Sequence, residues 1–414
     1  MFSTKKVRAL AMTASLVVLA AIAASTATSS SKATTVRIWT DADRKAAVEK
    51  VAGAWGTAKG VQVEVVQKDF GKIRDDLKTV QPETAPDVIV GAHDWVGQLS
   101  VDGSIVPLVI PGATKAQFPA YALNAMSYGT AVKRLYGVPV ALENVGLVVN
   151  KKLATTPKTI ASLQAQALKF QKKASGNIGL AVPQGANGDA YHMYPFFSGL
   201  CGYVFGTNSA GNLDPSNIGV ANPKFLKNAK TIDGWNKTGF LNSKIDYGVG
   251  KDAFLAGKVA FWITGPWEAD TLKKSGLSYT IAPFPSMGTG CASVPFLGVQ
   301  GFMVTKFAAA HGVESAAKDL VAGYFTSAAS QAALAAANGR FPANTQAAKL
   351  VNDPVLKLFG KASAGGVPMP NIPQMSSVWS ELGGAWVKST KGSGAVPARA
   401  SFITASRNIA NKIG

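Results

Sequence analysis

The stretch "YGVPVALENVGLVVN" (residues 136–150) is one long extended run with Pro139 and Gly146 inside it. Neither residue suits the interior of a central strand, because proline brings no N–H to the ladder and glycine weakens it. The run therefore reads as a crossover between two domains, with Glu143 and Asn144 at its middle. "PFLGVQG" (295–301) reads as a second crossing, followed by a strand at 302–305. A chain that crosses more than once builds domains that are discontinuous in sequence and able to hinge in space.

Working outward from the crossover, "VRIWT" (36–40), "VQVEVV" (61–66) and "DVIVG" (87–91) are strand-like, with helical periodicity at about 43–55 and 70–80 between them. That alternation predicts a parallel sheet covered on both faces. Downstream, strands are expected near 178–182, 259–264 and 278–282, and helices near 188–200, 223–238 and 247–257. Helical sequence then runs to the C-terminus, broken by "NGRFPAN" (338–344) and "MPNIPQMSSVW" (369–379). The expected division is a signal peptide at 1–27, a flexible tail at 28–35, an N-lobe of 36–142 and 298–345, and a C-lobe of 143–297 and 346–414.

A chain of 414 residues is too long for one ordinary core, which agrees with two lobes. Its one long apolar run, "ALAMTASLVVLAAIAA", follows Lys5, Lys6 and Arg8 and ends in small residues around Ala23 to Ala27. This is the pattern of a cleaved export signal, with a single membrane anchor as the alternative. No cysteine closes the run, so a lipobox-type lipid anchor is not expected, and the protein is placed in the periplasm or at the cell surface. In an oxidising compartment the two cysteines, Cys201 and Cys291, are expected to be bridged. Loss of the leader lowers the formal charge from +19 to +16 by removing Lys5, Lys6 and Arg8. The basic residues are scattered, with no arginine-rich arm, so nucleic acid is not the expected partner.

Ligands of open α/β sheets lie at the carboxyl ends of the strands. There the sequence places Asp41, Asp43 and Arg44; His93, Asp94 and Trp95; Glu143; Asp189, Tyr191 and His192; and Trp267. Carboxylates and guanidinium groups satisfy sugar hydroxyls, while the C–H faces of a pyranose bury apolar area on aromatic rings. Read singly, Asp43 fits a helix N-cap, His93 a satisfied structural histidine, and Trp267 a core plug behind a turn. The set carries the inference.

These stretches give the chain its family resemblance. "IWTDADR" (38–44), "PDVIVGAHDWVG" (86–97), the 136–153 crossover, "ITGPW" (263–267), "PFLGVQG" and "MPNIPQMSSVW" together resemble the maltose/maltodextrin-binding proteins. The resemblance implies a periplasmic-binding-protein-like α/β fold of two doubly wound lobes joined by crossover hinge strands. It further implies a malto-oligosaccharide ligand, delivery to the permease of an ABC importer, a monomer, and no enzymatic activity, cofactor or metal. Position by position it makes Asp43, Arg44, Asp94, Glu143 and Asp189 hydroxyl-binding groups. Tyr191, Trp267 and Trp379 become stacking faces, Met369 packs beside the ligand, and His192 replaces an aromatic neighbour. Pro370 and Pro373 would fix an extended approach, seated against the second lobe, to a helix from about Ser376 that carries Trp379. Three positions depart from the pattern. A tryptophan is expected where Gly91 stands, an arginine where Trp95 stands, and an arginine where Gly383 stands, so that an aromatic group has moved along the wall. The competing functions are capture of another glucoside such as trehalose, a secreted glycosidase using two cleft carboxylates, and an adhesin holding anionic polymer.

Overall fold

The computed structural model describes residues 34–414, and the expected signal peptide lies outside them. Strand β1 (Thr35–Thr40), helix α1 (Ala42–Lys59), β2 (Gln62–Gln67), α2 (Phe70–Thr79) and β3 (Val88–Ala92) follow the expected alternation. β1 pairs in parallel with both β2 and β3. The 136–150 run divides into β4 (Gly137–Glu143) and β5 (Gly146–Asn150), which join different sheets. Pro139 is accommodated because the register slips opposite it, between Gln300 and Gly301.

Then come α3 (Ile160–Gln171), β6 (Ile178–Ala181), α4 (Ala190–Gly199), α5 (Lys230–Thr238), α6 (Tyr247–Leu255), β7 (Val259–Thr264) and β8 (Tyr279–Ala282). The smaller sheet has the order β8-β5-β7-β6, with β7 and β6 parallel and β5 antiparallel to both β7 and β8. Every residue of β5 and β7 is buried, as uninterrupted apolar strands covered on both faces should be.

β9 (Phe296–Val304), β10 (Phe341–Pro342), β11 (Val367–Pro368), α7 (Val378–Thr390) and α8 (Ala398–Ile413) complete the elements used below. The larger sheet runs β10-β4-β9-β3-β1-β2, with β11 added on β9. Two expectations need correcting here. Strand structure covers all of Phe296–Val304, where only 302–305 was expected to be strand, because β3 and β4 both hydrogen-bond along it. A Cβ at Gly301 would lie 2.4 Å from Met126 Cε and 2.8 Å from Val138 O, so glycine is what permits that approach. Nor is either sheet purely parallel: in the larger, β9 runs antiparallel to β3 and β4, and in the smaller, β5 runs antiparallel to β7 and β8.

The approach to Trp379 sits elsewhere than expected. β11 pairs with β9 of the larger sheet, and Asn371 Nδ2 donates to the Ala125 and Ser127 carbonyls at 2.9 and 2.8 Å. Residues 367–372 thus seat against the larger sheet's side of the molecule. His93 fixes the same junction. Its Nδ1 accepts from Val299 N at 3.0 Å, which leaves Nε2–H to donate to Met369 O at 3.0 Å. Burial pushes the His93 pKa down to about 4, against these two backbone bonds. The residue is the satisfied structural histidine anticipated from sequence.

Cys201 and Cys291 form a disulfide. Cys201 is the only described non-glycine residue with positive φ, at 72°, and it follows directly on α4.

Two outcomes follow from this architecture. Closing a loop of 90 residues makes the C201S/C291S variant roughly 3–5 kcal/mol less stable by denaturant titration. His93 titrates below its unfolded value, so the unfolded state binds the extra proton in acid. Its contribution to stability is complete above about pH 6.5 and is lost as the pH falls toward 4. His93→Gln should start less stable and lose less across that window when melting is followed against pH.

Candidate ligand-binding cleft

The site begins where β1 gives way to α1. Asp41 is the α1 N-cap: its Oδ1 accepts from Arg44 N at 3.2 Å, and its Oδ2 accepts from Arg44 Nη1. The capping role anticipated for Asp43 therefore falls to Asp41, one residue before the helix, and Asp43 stands exposed in the first turn. The cap turns Arg44 inward, where its Nη2 reaches Glu143 Oε1 at 3.4 Å. Arg340 Nε donates to the same oxygen at 2.5 Å, and Gln300 Nε2 donates to Glu143 Oε2 at 3.1 Å. Arg340 also lies 3.6 Å from Asp43. Burial and the facing Arg340 push the Arg44 pKa down. Burial opposes the charge of Arg340 as well, but Glu143 and Asp41 outweigh it and raise its pKa.

Asp94 and Trp95 occupy the helical turn that follows β3. Trp379 Nε1 donates to Asp94 Oδ2 at 2.9 Å. Burial raises the Asp94 pKa to about 6 despite that bond. The departure at Gly91 has a steric reason: a Cβ there would come within 2.6 Å of the Trp95 ring. Trp95 fills the space that a side chain at 91 would need. It is itself only 6% exposed and packs on Phe70 at a ring distance of 4.9 Å. Phe70 covers the Trp95 ring in part and carries Arg44 over its own ring at 5.0 Å.

The opposite wall starts at Asp189, the N-cap of α4. Its Oδ1 accepts from His192 N at 3.0 Å and its Oδ2 meets His192 Nδ1 at 2.7 Å. Burial opposes its ionisation, but His192 and the helix N–H groups hold the carboxyl below its ordinary value. Tyr191 lies nearly parallel to Phe296, 6.2 Å away, and 6.3 Å from Trp267. A Cβ on Gly265 would strike the Trp267 ring at 2.1 Å, so glycine lets the indole fold back over the strand end. Trp267 Nε1 donates to Tyr247 Oη, which donates in turn to Glu268 Oε1 at 2.6 Å, and Lys251 Nζ reaches that oxygen at 3.0 Å. The third departure is also steric. Gly383 O would lie 2.1 Å from a Cβ at Gly188, whose φ is 75°, and a Cβ at Gly383 would meet Asn187 O at 3.0 Å. A longer side chain at 383 requires the Asn187–Gly188 backbone to give by a few tenths of an ångström.

Asp43, Arg44, Asp94, Trp95, Glu143, Asp189, Tyr191, His192, Trp267, Met369 and Trp379 all line one cleft of about 1030 Å³ between the two sheets. His93 does not line it. Sequence reasoning missed Phe70, Tyr247, Glu268, Gln300 and Arg340, which line it too. Arg340 and Gln300 had a weak signal, as lone polar side chains inside "NGRFPAN" and "PFLGVQG"; Phe70 and Tyr247, each just after an N-capping aspartate, had none. Arg44 Nε, Tyr191 Oη, His192 Nε2, Gln300 Oε1 and Glu268 Oε2 are buried without a hydrogen-bond partner. Such atoms cost about 1–3 kcal/mol each, and their collection at one cleft marks a place where a hydroxyl-rich ligand improves the balance. Among the described residues no cluster of His, Cys, Asp or Glu has the makings of a metal site.

Several known proteins are similar to this chain. A galactooligosaccharide-binding protein of Bacillus subtilis is 26% identical over 86% of this chain and 84% of its own length. A maltodextrin-binding protein of the same species is 29% identical over 80% of this chain and 79% of its own. The solved structure of the Thermus thermophilus maltotriose-binding protein, bound with maltotriose, superposes with a TM-score of 0.79 at 29% identity, covering 92% of this chain and all of that one. The profile of the bacterial extracellular solute-binding proteins matches residues 24–357, and the chain belongs to that family.

Proposed function

We propose that the cleft captures a malto-oligosaccharide between two lobes, residues 36–142 with 298–345 and residues 143–297 with 346–414, and presents the closed form to the permease of an ABC importer. The observation that carries the reading is the pairing, across one cleft, of a carboxylate–guanidinium cluster with tryptophan and tyrosine faces. Asp43, Arg44, Asp94 and Glu143 bind hydroxyls from one side and Asp189 from the other. Tyr191, Trp267 and Trp379 take the ring faces, His192 offers Nε2, and Met369 and Trp95 pack at the wall. The protein works as an exported monomer without catalysis: Glu143 is held between two guanidinium groups and Asp94 by an indole N–H. These pairings support binding over hydrolysis. The likeness to a maltodextrin-binding and a maltotriose-binding protein supports a glucan as the ligand.

Titration calorimetry with maltose, maltotriose, maltotetraose, trehalose and a galacto-oligosaccharide tests this. Binding heat is expected from the linear glucans, and silence from all of them would overturn the proposal. Trp267→Ala should weaken maltotriose binding by about 2 kcal/mol, roughly 30-fold. Reducing-sugar release from maltotetraose should stay at background.

The pH profile follows from Asp94, which is a carboxylate acceptor above about pH 6 and protonated below it. Maltotriose affinity should fall several-fold between pH 7 and pH 5, while Asp94→Asn binds more weakly with a flat profile. The stability sign is opposite. A raised folded pKa makes this carboxyl favour the folded state in acid, and that contribution is lost as the pH rises through 6.

A further inference from the structure

The positive charge is not shared evenly. Residues 143–297 and 346–414 hold 23 Lys and Arg against 10 Asp and Glu, a balance of +13, whereas residues 36–142 and 298–345 hold 15 against 13, a balance of +2. Two stretches account for much of the excess. Residues 144–188 contain six lysines and no carboxylate side chain, and residues 382–414 contain five basic residues and none.

The fold gathers part of this excess into one surface. Lys169 lies in the last turn of α3 and Lys172 and Lys173 follow it, all exposed. The C-terminal end of α5, with exposed Lys237, meets α3 through Gln164 Nε2 donating to Thr238 Oγ1 at 3.4 Å. Asn236 on α5 exchanges two hydrogen bonds with the backbone of Gly392, which brings Lys391 alongside. Ser243 N donates to Thr390 O at 3.1 Å and adds Lys244. None of these six lysines is in a salt bridge among the described residues, and none lines the cleft.

Lysines at helix C-termini favour the helix dipole, which is reason enough for one or two of them. It does not explain why carboxylates are missing here, since lysines of the other half are commonly paired, as Lys45, Lys59 and Lys318 are. Unpaired ammonium groups spread over several helix ends suit a repeating anion read by charge alone. Lysine is a strongly hydrated point charge, without the planar fork that reads a base edge or a single phosphate in two-pronged fashion. Among the described residues no Phe or Trp is exposed to stack on bases or to enter a bilayer, and the large apolar side chain exposed on the adjoining loop is Val396.

We propose that this lysine face holds the protein on a linear phosphodiester polyanion outside the cell, leaving the cleft accessible to sugar. One attached lobe would keep the receptor near the cell surface while the other moves.

The test uses the full mature chain on immobilised poly(glycerol phosphate), with phosphatidylglycerol vesicles and duplex DNA as the other arms. The wild type should bind the polymer at low salt and elute near about 0.15 M, where screening reaches about 8 Å. K169E/K172E/K173E/K237E should weaken polymer binding on the order of 100-fold and leave maltotriose calorimetry unchanged. K50E/K115E/K133E/K306E, an equal charge reversal on the other half, should bind polymer nearly as the wild type does. Equal losses in the two variants would mean net charge alone and would overturn the proposal, as would vesicles or DNA binding at least as tightly as the polymer. If the reversal disturbs folding, the corresponding glutamine variants carry the same comparison.

Discussion

A carboxylate buried where the chain passes from one sheet to the other is the constraint around which this structure is arranged. Glu143 ends β4, one residue before the gap that leads to β5, and it is 6% exposed. An ionised carboxylate in that position is costly unless it is paired and hydrogen-bonded. Its partners come from the start of α1, the middle of β9 and the turn before β10. The cost of burying Glu143 is thus offset only when the larger sheet is fully assembled around the crossing. The same requirement delivers Arg44, Gln300 and Arg340 to the cleft, so the group that ties the crossing together is also the polar half of the cleft lining.

The other half is built from aromatic rings held by neighbours of the opposite kind. Trp267 is locked through Tyr247 to Glu268, and Trp379 through its indole N–H to Asp94. A tryptophan on a turn would otherwise sample several orientations, and each bond selects one. Glycine supplies the room: Gly265 beneath Trp267, Gly91 beneath Trp95, and the Gly188–Gly383 contact that lets α7 approach Asp189. Of the three departures from the family pattern, those at 91 and 95 are one steric exchange, and the third, Gly383, stands in close contact with the Asn187–Gly188 backbone.

Charge is arranged in two separate ways. Inside the cleft, acids and guanidinium groups alternate at hydrogen-bonding distance in a water-poor setting, where direction and pairing matter. On the helix ends of α3 and α5 the lysines are unpaired, hydrated and screened by salt, and only their number and sign matter. A single figure for net charge conceals that difference.

The alternation of strand and helix, the doubled crossover at 136–150 and the strand ends that face the cleft were legible in the amino-acid sequence, because each depends on local periodicity or on what proline and glycine do to a ladder. The cysteine pairing was open to inference from compartment, and the eleven candidate residues from the strand-end rule together with the family resemblance. Tertiary structure alone decided that Asp41 and not Asp43 caps α1, that Phe296–Val304 is one strand, and that 367–372 seats on the larger sheet. It alone brought Phe70, Tyr247, Glu268, Gln300 and Arg340 to the same cleft. Hydrogen-bond partners 157 and 197 residues apart, as Gln300 and Arg340 are from Glu143, leave no period in the chain. What local sequence encodes is which face an element shows; what it shows that face to is settled by packing.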